Sequence, residues 1–363
     1  MTKTRLAAVA AALLVACAPF GARAADLGGN CCADLEERLS ELEATTARKG
    51  NRKVTLQVYG QVNETISWHN IDGLANGDRA YIATHGGSPN QLGVRGSAKI
   101  GDVTMGYNIE FGYTHSLNGD DAGSIDLRQA NWYIDRKNLG RVTVGKATQA
   151  SKDAFATSLA NTWLASKPFT VGQLKTLTAG AVDLPFDGDR KNIVRLDTAN
   201  FGGFTAAASI ANDEEWDVAL RYAGEFGGLR LAAAGGYRVT PVAGTSDNKT
   251  WGGSASAMHM ATGLFLNAGY AKIDGTAMAL LDPDMVQLQA GIERKWLDLG
   301  KTTLFGEWGR AQSTGADDTT FWGAGFNQEV TAAAMDLYLG CRQYDAGSGV
   351  DGAACAGGAR IKF

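Results

Sequence analysis

Ionisable side chains recur in the sequence at a spacing that places them on one face of extended segments. Arg95 and Lys99 alternate with the apolar residues Val94 and Ala98. Other ionisable residues that could face them across a passage lie on neighbouring segments or late in a long irregular stretch. They are Glu110, Arg128, Arg195, Asp183, Asp187 and Asp189. Opposed basic and acidic walls would create a transverse field that orders water and sorts solutes by charge. The alternative is that these charges only solvate a wet surface or form local salt bridges.

Motifs for covalent chemistry are absent from the sequence. It contains no Gly-x-Ser-x-Gly nucleophile turn, no Gly-x-x-x-x-Gly-Lys-Ser/Thr phosphate loop and no Gly-x-Gly-x-x-Gly unit between a strand and a helix. The four histidines, His69, His85, His115 and His259, are scattered singly, which argues against a zinc site. We therefore expect no enzymatic activity, no cofactor and no metal.

Apolar and polar residues alternate from Lys53 onward with the period of two that is typical of β-strands. The pattern covers segments 54–68, 92–100 and 103–114, and it recurs through the later part of the chain. Glu64 interrupts the first apolar row, which indicates either a β-bulge or a polar interface position. The alternation is weaker at 127–129 and at 332–334.

Short and long connections alternate between the periodic segments. Tight connections carry turn residues such as Gly101-Asp102, and the longer ones cover 69–89, 115–124, 150–191, 240–250, 311–319 and 344–357. After the N-terminal segment, no apolar run reaches the length of about 18 residues that a transmembrane helix needs. The pattern predicts an all-β fold, a transmembrane antiparallel β-barrel; at roughly 20 residues per strand unit, residues 51–363 hold about 16 strands. The alternative is a soluble secreted β-protein.

Both ends of the chain fit an exported membrane protein. Residues 1–24 have the basic start, apolar stretch and small-x-small cleavage site of a signal peptide, and lipidation of Cys17 is the alternative. Cleavage before Ala25 removes three basic residues and no acidic one, so the formal net charge changes from −4 to −7, which argues against a nucleic-acid partner. The last strand stops on Phe363, an aromatic residue suited to a membrane interface.

Residues 25–50 form a separate N-terminal unit. Leu35, Leu39 and Leu42 are spaced by four and three, which predicts a helix with a short coiled-coil stripe. Two heptads are too short to be stable alone. The helix therefore belongs either to a small oligomeric bundle or to an amphipathic helix packed on its own chain.

Cysteine usage is compatible with an oxidising compartment, because an export signal precedes the four cysteines that follow the cleavage site. Cys341 and Cys355 flank a loop rich in glycine and aspartate and could be bridged across it. Cys31 and Cys32 are adjacent; they could bridge each other, bridge neighbouring chains or stay free.

These features together resemble an alphaproteobacterial general porin of the trimeric sixteen-stranded type. The resemblance rests on the stretches 34–54, 93–101, 126–134, 141–145 and 359–363. It implies a homotrimer of water-filled pores in the outer membrane, through which ions and small hydrophilic solutes diffuse passively. It also implies a periplasmic location of the N-terminal helix and recognition of Phe363 by the outer-membrane assembly machinery.

The segment 150–191 matches by position the loop that narrows the pore of such porins. Its apolar residues are Phe155, Leu159, Trp163, Leu164, Phe169 and Val171. We expect it to fold inward with this apolar side on the barrel wall, and an exposed lid is the alternative. A second functional hypothesis is a structural outer-membrane barrel that anchors the envelope through the N-terminal helix, in which case the loop would plug the lumen.

Overall fold

The computed structural model describes residues 53–72, 77–116, 123–167, 186–244, 246–275, 281–314, 317–347 and 349–363. These residues form antiparallel strands in chain order: β1 (Gln57–Ile71), β2 (Asp78–Thr84), β3 (Asn90–Ile100), β4 (Val103–Thr114), β5 (Ser124–Arg136), β6 (Gly140–Thr148), β7 (Arg190–Thr198), β8 (Phe204–Ala211), β9 (Trp216–Phe226), β10 (Leu229–Thr240), β11 (Asn248–His259), β12 (Leu264–Asp274), β13 (Leu281–Leu297), β14 (Gly300–Thr314), β15 (Thr319–Val330), β16 (Met335–Asp345) and β17 (Asp351–Lys362). One short helix, α1 (Trp163–Ser166), and the 3₁₀ turns Asn212–Glu214 and Thr331–Ala333 complete the described secondary structure. Because β1 pairs with β17, the sheet closes into a barrel.

Strands β2 and β3 share one position in the barrel wall. Both pair antiparallel with β1: β2 lies opposite its second half and β3 opposite its first half. Residues 85–89 interrupt the wall between them, so the barrel has sixteen wall positions. The barrel and its strand number are as the sequence predicts, but the predicted loop 69–89 contains strand β2.

Large apolar side chains face outward along the strands, and polar side chains face the lumen. Exposed apolar residues occur on strands all around the wall, for example Val58, Leu92, Ile109, Val194, Leu220, Leu266, Leu288, Leu304 and Leu339. Such an outward apolar band is what lipid requires of a transmembrane barrel. Among the described residues, no helix combines the length and the apolar character needed to cross a membrane.

The two places of weak alternation have local causes. Glu110 pairs with Gln129 and Phe111 with Leu127, which leaves Arg128 as the extra residue of a β-bulge. The stretch around 332–334 is the 3₁₀ turn between β15 and β16. At Glu64 the first strand is regular and unbulged, so the interruption of its apolar row is a polar residue on the outward face.

The last residue closes the barrel seam. The backbone N–H of Gly60 donates to the carbonyl of Phe363 at 2.9 Å, and the N–H of Phe363 donates back at 3.1 Å. Cys341 and Cys355 face each other across β16 and β17 and are joined by a disulfide bond. The predicted signal peptide and the helix with Leu35, Leu39 and Leu42 lie outside the described residues, as do Cys17, Cys31 and Cys32.

Candidate pore constriction

A long connection between β6 and β7, residues 149–189 and here called the inner loop, has its described parts inside the barrel. Its two ends are tied to each other by backbone and side-chain bonds of Gln149 with Asp189, at 2.8–2.9 Å. The Gln149 amide also donates to the carboxylate of Glu215 at 2.8 Å, and its side chain is almost fully buried. The loop therefore leaves and rejoins the wall at one fixed point.

Three arginines from neighbouring strands hold the backbone of the loop ends. Arg195 of β7 donates to the carbonyl oxygens of Thr148 and Gln149, where β6 passes into the loop, both at 3.0 Å. Arg221 of β9 donates to the carbonyl oxygens of Ala150 and Lys152 at 2.7 Å each. Arg238 of β10 donates to the carbonyl of Asp187 at 2.6 Å. A guanidinium offers several donors in a fixed plane, which suits it to clamp adjacent carbonyls.

From these ends the loop runs along the inner wall past β11 to β16. Its backbone amides donate to side chains on β11 and β13: Thr157 to Ser254 at 2.9 Å, Leu159 to Ser256 at 3.0 Å, and Asn161 to Glu293 at 2.9 Å. Wall residues thus satisfy backbone groups that a free loop would leave to water.

Apolar side chains of the loop pack on the wall. Phe155 joins a buried cluster with Phe186, Ala219, Ala271 and Ile273. A second cluster surrounds α1 and consists of Ala160, Leu164, Ala165, Met258, Phe265, Phe305 and Tyr338. The expected inward fold and apolar packing are thereby found over the described part of the loop, whereas Phe169 and Val171 lie outside it.

A buried ion pair lies beneath α1. Arg342 of β16 donates to the carboxylate of Glu307 on β14 at 2.6 Å, and 3% and 1% of the two side chains are exposed. Arg342 also donates to the carbonyl oxygen of Ser166 at 2.7 Å, and the Ser166 hydroxyl donates to Glu307 at 3.0 Å. The helix is therefore fixed to the wall by charge-assisted bonds, which are stronger than neutral ones.

The wall from β3 to β6, beyond the point where Arg195 of β7 holds the start of the inner loop, lines the open lumen. Arg128 pairs with Glu110 at 2.8 Å, and the Tyr59 hydroxyl donates to the same carboxylate at 2.9 Å. Below them lies a polar cavity of about 470 Å³, lined among others by Asn108, Gln129, Asn131, Tyr133, Asp135, Arg141, Arg195 and Asp197. The site is thus a wet passage between a charged wall and a wall-bound loop.

Comparison with protein families identifies the chain. The family model described as Gram-negative porin matches residues 7–349. This chain belongs to the Gram-negative porin family. The family and the sixteen-position barrel establish that it is a diffusion channel and that it lies in the outer membrane. Its family and fold are those of a channel and not of an enzyme.

Relatives of this porin agree with its fold. It is 28% identical to outer membrane porin protein 32 of Delftia acidovorans over 257 residues, which are 65% of this chain and 66% of that protein, slightly under two thirds. Among solved structures it is similar to the anion-selective porin from Comamonas acidovorans, with a TM-score of 0.61, 17% identity and coverage of 85% of this chain and 100% of that one. It is also similar to outer-membrane expressed OmpT of Vibrio cholerae, with a TM-score of 0.57, 16% identity and coverage of 87% and 99%.

The charged residues predicted for the constriction of the porin have different surroundings. Glu110 and Arg128 form a pair on the lumen wall, and Arg195 clamps the start of the inner loop while pairing with Asp197. Arg95 donates to Gln57 at 3.0 Å and lies over the Tyr59 ring, and Lys99 is exposed near the turn at the end of β3. Asp187 pairs with Lys152 at 3.3 Å, and the backbone N–H of Asp189 donates to Gln149 where the two loop ends meet. Asp183 lies outside the described residues.

Several residues that organise this porin's lumen were missed by sequence reasoning. They are Gln149, Glu215, Arg221, Arg238, Glu307 and Arg342. For the four that lie on strands, the inward position follows from strand alternation, but their bonds to a loop 51 or more residues away in sequence do not. Within the described ranges, no group of three potential metal ligands occurs.

Proposed function

We propose that this porin passes ions and small hydrophilic solutes by passive diffusion, and that the inner loop sets the narrowest point of the passage. The observation that carries the proposal is the hydrogen-bonded path of the loop along one wall, which leaves the polar β3–β6 wall facing open space. Selection then depends on size and on the charges of that wall.

We propose a preference for anions. Three arginines of the wall are each neutralised by a neighbouring carboxylate, as Arg128–Glu110, Arg141–Asp135 and Arg195–Asp197 pairs at 2.6–2.8 Å. Arg95 and Lys99 on β3 differ, since among the described residues neither contacts a carboxylate. Their uncompensated positive charge favours anions in the lumen.

The test is the reversal potential of reconstituted channels under a salt gradient. Arg95→Gln should lower the anion-to-cation permeability ratio by about two- to fivefold, because a unit charge acts on an ion 4–8 Å away with ~0.5–1 kcal/mol in water. The double variant Arg141→Gln with Asp135→Asn removes a neutral pair and should leave the ratio unchanged. Equal ratios in the wild type and the Arg95 variant would remove β3 from the selectivity site. A folded wild type that never conducts would instead favour the structural barrel.

We further propose a homotrimer. A polar cluster on the outward face of the barrel supports a protein partner there: Asn90 donates to Glu64 at 2.7 Å, and His115 lies 3.2 Å from the same carboxylate. Its neighbours on this face include the exposed apolar residue Ile82. An ionisable pair is costly against lipid but acceptable against a second protein surface.

The chain's membership of an alphaproteobacterial branch is also a proposal, supported by the stretches 34–54 and 359–363. We likewise propose cleavage of residues 1–24, a periplasmic helix within 25–50 and a barrel domain over 51–363. Phe363 is proposed as the residue that the outer-membrane assembly machinery reads, which its position at the barrel seam supports.

A further inference from the structure

The 85–89 segment, which interrupts the wall between β2 and β3, meets the inner loop in the lumen. The side chain of His85 is fully buried, and its Nε2 lies 2.9 Å from the carbonyl oxygen of Leu164 in α1. The indole N–H of Trp163 donates to the carbonyl of Gly87 at 3.3 Å. A Cβ at Gly87 would lie 2.7 Å from the Lys167 side chain, so the contact requires glycine there.

The two hydrogen bonds of His85 define its protonation. The backbone N–H of Ser88 donates to Nδ1 at 2.9 Å, so Nδ1 must carry a lone pair. Leu164 offers only a carbonyl oxygen, so Nε2 must carry the proton. The ring is therefore neutral, and a second proton on Nδ1 would face the Ser88 N–H donor to donor.

Charged and titratable groups surround this ring from every element packed on it. The Tyr338 ring of β16 packs edge-on at 5.2 Å, and Arg360 of β17, paired with Asp336, reaches the Ser88 hydroxyl at 3.4 Å. Lys167 lies over the Trp163 ring on the loop side. Behind the wall, on the outward face, lie Glu64 and His115. Burial first, and after it the positive charge of Arg360, lower the pKa of His85 to about 4, so the ring stays neutral and the donor stays in place at neutral pH.

We propose that His85 is a positioning residue that latches α1 to the interrupted wall and thereby holds the inner loop at one distance across the lumen. The inner loop docks at the strand interruption. Protonation of Nδ1 in acid breaks the Ser88 bond that orients the ring, which releases α1 from the wall and lets the inner loop move into the passage. The inference rests on the proposed role of the inner loop as the narrowest point.

The test compares single-channel currents of His85→Asn and His85→Gln with the wild type at neutral pH and at about pH 4, which is close to the lowered pKa of His85, so that a substantial fraction of the rings is protonated. Asn keeps an acceptor near the Nδ1 position but loses the donor to Leu164. Gln places a non-titrating donor near the Nε2 position. At neutral pH the Asn variant should close about fivefold more often than the wild type, the factor for one hydrogen bond of ~1 kcal/mol. The Gln variant should stay steady.

At about pH 4 the wild type should gain closures, and the Gln variant should gain fewer because it cannot be protonated there. Carboxylates elsewhere titrate equally in both proteins, so the difference isolates His85. An Asn variant that matches the wild type at neutral pH, or equal acid responses of Gln variant and wild type, would overturn the latch while leaving the channel function intact. Heat-modifiable mobility on gels confirms that each variant is folded. A wild type without conductance would instead contradict the proposed function.

Discussion

Arg342 and Glu307 form a pair beneath α1 that is nearly closed to solvent. Replacing Arg342 by Leu leaves the Glu307 carboxylate buried with only neutral donors, among them the amide of Gln289 at 3.1 Å. Breaking a buried pair in this way typically costs ~3–5 kcal/mol. We expect a clear fall in the denaturant concentration at which the detergent-solubilised barrel unfolds, followed by tryptophan fluorescence.

Two further variants separate charge from volume in this experiment. Arg342→Leu combined with Glu307→Gln removes the stranded charge and should recover most of the loss. Arg136→Leu breaks a pair with Asp102 whose side chains are more than half exposed, and solvent screening should make its effect small. If the Arg342 and Arg136 single variants unfold alike, the buried pair does not stabilise the barrel.

The contacts of single side chains were the feature hardest to predict from the sequence. Alternation placed Arg195 on an inward position of a strand, but it did not predict the bonds of Arg195 to two carbonyls where β6 passes into the inner loop, because these depend on the path of the loop. Arg128 breaks the alternation because it is the extra residue of a bulge, and the weak pattern at 127–129 was its signal. Nothing in the sequence marked Arg221 and Arg238 as residues that bind the inner loop, since arginines commonly face a water-filled lumen.

Among the elements, the seam between β1 and the C-terminus depends on one glycine. A Cβ at Gly60 would lie 2.5 Å from the Phe363 ring and 2.6 Å from the carbonyl oxygen of Gln91, so Gly60→Val must displace both neighbours. We expect a lower yield of folded, heat-modifiable barrel. Gly306→Val is the matched control, because the nearest atom to a Cβ there is 3.8 Å away. Equal folded yields of the two variants would mean that Phe363 moves aside without cost.

The strand pattern predicted most elements because lipid outside and water inside impose the period of two on every spanning strand. Strand β2 was missed for a physical reason: it has only seven residues, and flanking glycine and polar residues give it the composition of a loop. Its pairing with β1 is a long-range property that no local pattern carries. The interruption after it, where the inner loop docks, was hidden for the same reason.

At the scale of the whole molecule, the outward face distinguishes one side of the barrel from the rest. Glu64, Thr84, Asn90 and His115 form connected hydrogen bonds on a face that is otherwise apolar. Lipid cannot satisfy such groups, and charged residues on a lipid-facing surface cost up to ~2–4 kcal/mol, with acids at the lower end. A neighbouring subunit that covers the cluster removes this cost, so the subunit contact of the proposed homotrimer should include β1, β2 and β3.

Single cysteines report which faces of the assembled protein meet lipid. Ile82 lies beside the polar cluster with 60% of its surface exposed in one protomer, whereas Leu288, on β13, is 41% exposed. In a background with Cys31→Ser and Cys32→Ser, Ile82→Cys should react poorly with a bulky membrane-soluble maleimide in the intact assembly and readily after mild heating to monomers. Leu288→Cys should react in both states, because lipid leaves room for the reagent. Rapid labelling of Ile82→Cys before dissociation would mean that this face meets lipid and that the Glu64–His115 pair is satisfied within one chain.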